Sequence, residues 1–412
     1  MPAVHNAVAF FAATLVSAAA HAQTQVTKPP ISTYGVDVET RTMSIPGMPS
    51  GGGGLAGMMM PGGMGGGPQK SLWLGLRSTH KASGTPEAQH QIPPGMAMGP
   101  ALPLLAPPPA TRGETYDDEK LPEKPKARML IYWGCGDAIR AGQPRVADTE
   151  KMTMEEFGRA LTSRSPPDRW SALRNAQFRW PNEREPRVVP ANASLRGEQL
   201  VKGSATPDIR FAIGEKQDFM APFEITARGD KSGPTALSWA AVPTAQGYFL
   251  QAMGFRQSGS EMIIWTSSEV QDAGWGLMTF LPNDFLRRMI SEKVVLPAST
   301  STCTIPKGIF DAVEGAMVNG IAYGEEQNLA QPPRPADPKI AWDPIWAVKV
   351  RVKSTGMVPL GMGDMDDARA SRRGTERAPR ASTQSAPREE KAPNPMDDAT
   401  DAVNKLKGMF KF

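Results

Sequence analysis

The chain is expected to be mainly β. It reads as one or two β-sandwich modules with short helices, followed by a disordered linker and a C-terminal amphipathic helix. Three observations predict this. Short apolar or alternating runs recur between clusters of Gly, Pro and Asp, the pattern of strands and turns. The stretch Gly233–Phe255 holds a strand through Leu237 and Trp239, a small-residue turn Pro243–Gly247 and a second strand Tyr248–Met253. Finally, 40 Gly and 40 Pro in 412 residues make about a fifth of the chain, against an ordinary sum of roughly 12%. The surplus sits in residues 46–68, 93–109 and 359–395, and a more ordinary globular region lies between the last two.

Residues 1–22 read as a secretory signal peptide. Ala7–Ala20 is an apolar h-region and Ala20-His21-Ala22 a small-x-small cleavage site, although the n-region carries no Lys or Arg. The expected location is periplasmic or secreted. Residues 23–126 form a first stretch of strands interrupted by Gly/Met-rich and Pro-rich loops. In it Val36–Ile45 alternates loosely, and Ser71–Arg77 puts Leu72, Leu74 and Leu76 on one face and Trp73 on the other. The Gly/Met tract becomes a long loop between two pairable strands. The Pro-rich residues 93–109 read as extended and partly polyproline-like.

Residues 127–218 form a β-rich module. Met129–Trp133 is a buried-type strand that runs into Gly134-Cys135-Gly136, a tight turn or close backbone approach. Met152–Ser163 is a helix candidate with Thr153 and Glu156 in capping-box spacing. Residues 219–356 form a β-sandwich. Phe223–Ala227 leads into the Trp239–Tyr248 unit, and Met262–Thr266 is a further strand. Asn283 or Asp284 can cap a helix Phe285–Glu292. Ala347–Lys353 alternates apolar against basic and reads as a half-buried last strand. Residues 357–393 are a disordered linker rich in Pro, Ala, Ser and Arg. Residues 394–412 form the terminal helix. Val403, Leu406 and Phe410 continue an apolar stripe there, with Asp residues at the start and Lys residues at the end, matching the macrodipole.

Several segments resemble an uncharacterised family of exported proteobacterial proteins: IPPGMAMGPALPLL (92–105), ARMLIYWGCGDAIRAGQPRV (127–146), GYFLQAMGF (247–255) and PPRPADPKIAWDPIWAVKVRVKST (332–355). YWGCG is the most specific piece. The resemblance implies export and a β-rich fold and carries over no activity. The pattern Pro-x-x-Leu-x-Trp followed by Val-Pro-x-Ala-x-x-Tyr is similar to the first half of a fibronectin type III sandwich, over about residues 220–356, and this resemblance implies that Trp239 and Tyr248 project into one core from facing strands.

Chemistry is sparse. The chain has two cysteines. In an oxidising compartment Cys135 and Cys303 are a disulfide candidate, and two separate buried thiols are the other reading. Beyond the leader the histidines are His80 and His90, both read as lying in loop, so a triad enzyme would have to use one of them. No nucleophile elbow, HExxH, P-loop or dinucleotide fingerprint is present. Acidic pairs such as Glu325-Glu326 read as solvated. A hydrolase therefore ranks last. The unusual feature is Met43, Met48, Met58, Met59, Met60 and Met64, soft thioethers that could hold Cu(I), against a plain low-complexity loop. Large aromatics, Trp239 and Trp265 among them, read as core filling rather than a sugar-binding face. Net charge is +4 over the whole length, which is no argument for nucleic acid. No cofactor is expected. The expected function is non-enzymatic binding or scaffolding in the envelope. The partner would be an envelope protein or a membrane surface, reached through the terminal helix.

Overall fold

The computed structural model describes residues 25–44, 67–107, 128–167, 172, 174–229, 233–256 and 261–361. The strands are β1 (Ser32–Met43), β2 (Gln69–Ser78), β3 (Ala88–Gln91), β4 (Ala101–Leu104), β5 (Arg128–Trp133), β6 (Arg145–Asp148), β7 (Phe178–Trp180), β8 (Gly197–Gly203) and β9 (Thr206–Ile213). They continue as β10 (Ile225–Arg228), β11 (Thr235–Trp239), β12 (Gly247–Arg256), β13 (Glu261–Thr266), β14 (Leu296–Pro297), β15 (Thr302–Ile305), β16 (Val313–Tyr323), β17 (Gln327–Gln331) and β18 (Trp346–Leu360). Two short helices, α1 (Met154–Ala160) and α2 (Asn283–Ser291), lie among the described residues. Neither is long and apolar enough to cross a membrane.

Eleven strands form one sheet, in the order β6-β5-β13-β12-β16-β18-β1-β2-β7, with β14 on β12 and β17 on β18. Its strands come from all three stretches 23–126, 127–218 and 219–356, so these sequence boundaries do not separate hydrogen-bonded units. The reason is long-range pairing. β1 lies parallel to β18 with Val36 opposite Val350, and β5 lies parallel to β13. β1 and β2 pair antiparallel from Ser32↔Ser78 to Arg41↔Gln69, so two pairable strands do flank the Gly/Met tract.

Strand alternation gives the sheet two different faces. One carries Tyr34, Val36, Val38, Leu72, Leu74, Leu76, Val348, Val350 and Val352 into the main core. Two small sheets cover that face: β10-β11-β15 and β4-β3-β8-β9. The layered, sandwich-like β architecture is therefore as expected. Gly320 and Gly356 face each other across β16 and β18. A Cβ on Gly320 would stand 2.4 Å from Ile225, and one on Gly356 would stand 2.2 Å from the Phe223 carbonyl oxygen. Their bare backbone lets the strand Ile225–Arg228 come down onto the sheet.

The other face is covered by the helices. α2 packs Phe285, Leu286 and Met289 on Phe249, Ile321 and Tyr323. α1 sits over Met129, Ile131, Met262 and Ile264. Its Thr153–Glu156 capping box is complete, as the spacing predicts. At α2 the expectation fails. Pro282 occupies the N-cap, and the Asn283 side chain clips the Glu326 backbone instead, donating to its carbonyl and accepting from its N–H at 2.8 and 2.9 Å.

Three further corrections follow from pairing. The linker does not begin at residue 357, because β18 continues to Leu360 against β16 and buries Val358 and Leu360. Pro359 lies beyond Met357, the last β18 residue paired with β1, so its missing N–H removes no bond of that ladder among the described residues. Within 93–109, Pro94–Met96 is a 3-10 turn and Ala101–Leu104 a strand. His90 lies in β3 and is fully buried rather than in loop. The signal-peptide segment, residues 45–66, the segment from 362 and the helix carrying Val403, Leu406 and Phe410 lie outside the described residues.

Candidate functional site

Cys135 and Cys303 form the disulfide, with Cα atoms 5.2 Å apart across a sequence separation of 168. Local backbone sets it up. β5 ends at Trp133, and Gly134 takes a left-handed φ of +96° that a side chain would resist. The Gly134 N–H donates to Thr266 and the Gly136 N–H to Thr304, at 3.0 and 2.9 Å. Trp265 Nε1 donates to the Gly134 carbonyl at 3.0 Å. Cys303 sits on β15 of the three-stranded sheet. The bridge therefore fastens the large sheet to the sheet facing it.

Trp239 and Tyr248 meet across the same interface. Their ring centroids are 5.5 Å apart, and Phe223 contacts both at 5.8 and 5.3 Å. The Tyr248 hydroxyl accepts from the Val242 N–H at 2.9 Å. Trp265 and Trp346 are also buried, while Trp275 is 39% exposed. Met43 ends β1 and stands opposite Met357. Met48, Met58, Met59, Met60 and Met64 lie outside the described residues.

A buried charge seam runs along the β1–β18 pair. Asp37 accepts from Arg351 Nε and Nη2 at 2.7 and 2.8 Å, and from the Ala172 N–H at 2.9 Å. Both side chains are about 95% buried, at 5% and 6% exposure. Two residues on, Glu39 lies 3.5 Å from Lys353 and accepts from Thr355 at 2.8 Å. The Phe280 ring caps the Arg351 and Lys353 cations at 4.5 and 4.7 Å. Burial holds the Lys353 amine below its ordinary range, and the Glu39 carboxylate pulls it back up. The basic face of this strand, expected to be wet, is thus covered. Glu326, expected to be solvated, is 8% exposed and faces Lys349 at 3.6 Å. The seam does positioning chemistry. Each cation faces a carboxylate, which fixes the parallel register, because a one-residue slip would strand the charges among Val side chains. The signal was in the sequence: Val-Asp-Val-Glu (36–39) and Val-Arg-Val-Lys (350–353) have the same spacing and opposite signs.

His90 is also structural. Its Nδ1 is 2.9 Å from the Tyr34 hydroxyl, which burial keeps protonated, and its ring lies edge-on to Tyr34. Burial pushes the imidazole down from 6.5 to about 4, with the Gln199 side chain opposing. The unfolded chain then binds a proton between these values that the folded chain does not. His90 stabilisation is complete above pH 6.5 and is lost as pH falls toward 4, a change of about 3 kcal/mol. Urea unfolding at pH 7 and pH 4.5 should show a larger drop for the wild type than for His90→Gln. Equal drops would refute this.

On the outer face of the four-stranded sheet lies an open groove of about 1000 Å³. Gln91, Leu200 and Arg210, neighbours across β3, β8 and β9, line it together with Glu198, Pro94 and Pro100. The proline segment is held by Ile92 N–H donating to the Pro100 carbonyl and Ser194 N–H donating to the Gly95 carbonyl, at 3.2 and 2.9 Å. A volume of this order suits a ligand of drug-like size or an extended segment. The chain matches no protein-family model, no curated protein and no solved structure.

Proposed function

We propose that this is an exported, non-enzymatic binding or scaffold protein of the periplasm or cell envelope, tethered through its terminal helix. The observation that carries the reading is the Cys135–Cys303 disulfide between two sheets, since such bridges persist in oxidising compartments. The signal-peptide pattern at residues 1–22 and the YWGCG resemblance point the same way. Two further features support binding over catalysis. His90 is withdrawn into the core, and the buried charges of the seam serve the register of β1 and β18. The Trp239–Tyr248 contact between facing sheets agrees with a fibronectin III-like module within 219–356. The partner is an envelope protein or a membrane surface, engaged by Val403, Leu406 and Phe410.

Deleting residues 394–412 tests the tether. The full chain should sediment with membranes or bring down a partner, and the truncated chain should do neither while unfolding as before. Identical fractionation and identical co-purifying proteins would contradict the reading.

A further inference from the structure

The Cys135–Cys303 bridge has two unlike ends. Cys303 is 4% exposed, stands opposite Leu237 within the three-stranded sheet and belongs to the main core. Cys135 is half-buried in the turn after β5, packed against that core. A Cβ on the next residue, Gly136, would meet no atom within 4 Å, so the flank of the turn is open.

The turn has supports besides the bridge. The Gly134 and Gly136 N–H groups donate to Thr266 on β13 and Thr304 on β15. Arg140 Nη2 donates to the Cys135 carbonyl at 3.1 Å and to Glu269 at 2.7 Å. The Gln143 side chain clips Trp133, accepting from its N–H at 3.1 Å and donating to its carbonyl at 2.8 Å. Thr304 adjoins Cys303, so opening the bridge leaves the two cysteines held side by side.

We propose that Cys135 is a thiol–disulfide exchange site for an external thiol, small or borne on a protein, with Cys303 as its internal resolving thiol. Exchange is an in-line displacement, in which the attacking sulfur enters opposite the one that leaves. Attack on Cys303 has to come through the core. Attack on Cys135 comes from the side away from Cys303, where the turn meets solvent. The incoming thiolate bonds to Cys135 Sγ, the bond between the two Sγ atoms breaks, and its electron pair leaves with Cys303, which takes up a proton. Cys303 can then give up that proton, attack the Cys135 sulfur, expel the incoming thiol and restore the bridge. A second external thiolate that removes the first leaves both cysteines reduced and the two external thiols joined as a disulfide. Because Cys303 is held beside Cys135, the first course wins at low thiol concentration. The proposal rests on the bridge alone and not on the tethered-scaffold reading.

The test uses the full chain. Brief reduction of the wild type with a limiting trialkylphosphine, then rapid alkylation, should label Cys135 at least about tenfold ahead of Cys303, since access governs thiol reactivity. This readout needs no variant. Cys303→Ser should form an adduct with oxidised glutathione, while Cys135→Ser should stay unmodified until it is unfolded in urea. A thioredoxin whose resolving cysteine is replaced by serine should be trapped on the wild-type chain through Cys135. A glutathione adduct alone identifies a small thiol as the exchanging group, and a trapped thioredoxin alone identifies a protein thiol. Labelling of Cys303 first or equally, an adduct on folded Cys135→Ser as fast as on Cys303→Ser, or no adduct of either kind would each overturn the proposal.

Discussion

Replacing Cys135 and Cys303 together by Ser should lower the unfolding free energy by about 3–5 kcal/mol. The bridge closes a loop of 168 residues, and its removal returns about 5 kcal/mol of chain entropy to the unfolded state in the simplest model. The loss should be felt first where the three-stranded sheet meets the large one. Trp239, Phe223 and Tyr248 pack there, so tryptophan fluorescence should report loosening of β10, β11 and β15 before global unfolding. Urea denaturation of the oxidised protein, the reduced protein and the double variant gives the number. If all three unfold at the same urea concentration, the two sheets are held by packing alone.

The second large effect lies in the charge seam. Arg351→Met should cost about 3–5 kcal/mol, because it leaves the Asp37 carboxylate buried without its cation. Adding Asp37→Leu should restore most of that loss, since an apolar pair of similar volume removes the desolvation penalty. Recovery should stop about 1–2 kcal/mol short, because the Ala172 N–H loses its acceptor. The coupling from the double-mutant cycle is the diagnostic quantity. Additive losses would mean that the two side chains do not act as a pair.

These two sites also mark how much was legible in the sequence. Strands with strong local alternation, Ser71–Arg77 and Ala347–Lys353, were readable, as was the Thr153–Glu156 cap, because their signals lie within a few residues. The Trp239–Tyr248 meeting was readable for the same reason, with one turn between them. Partners far apart in the chain were not. Asp37 and Arg351 are separated by 314 positions, and each strand alone reads as having a wet charged face. Only the parallel pairing of β1 with β18 turns two solvated faces into a buried seam. The same pairing extends β18 into what composition assigns to a linker, and it carries Met43 to Met357. His90 reads as loop because four residues of strand between Pro- and Gly-rich flanks give no periodic signal. Asn283 reads as a cap because a cap and a long-range clip use the same amide.

The most direct single measurement is the intact mass of the protein recovered from a periplasmic fraction, before and after reduction and thiol alkylation. The expected result is a chain starting at Gln23 that takes up no alkylating agent until reduction and then takes it up at both Cys135 and Cys303. A chain retaining residues 1–22 with two thiols alkylated before reduction would contradict both the export reading and the bridge between the sheets.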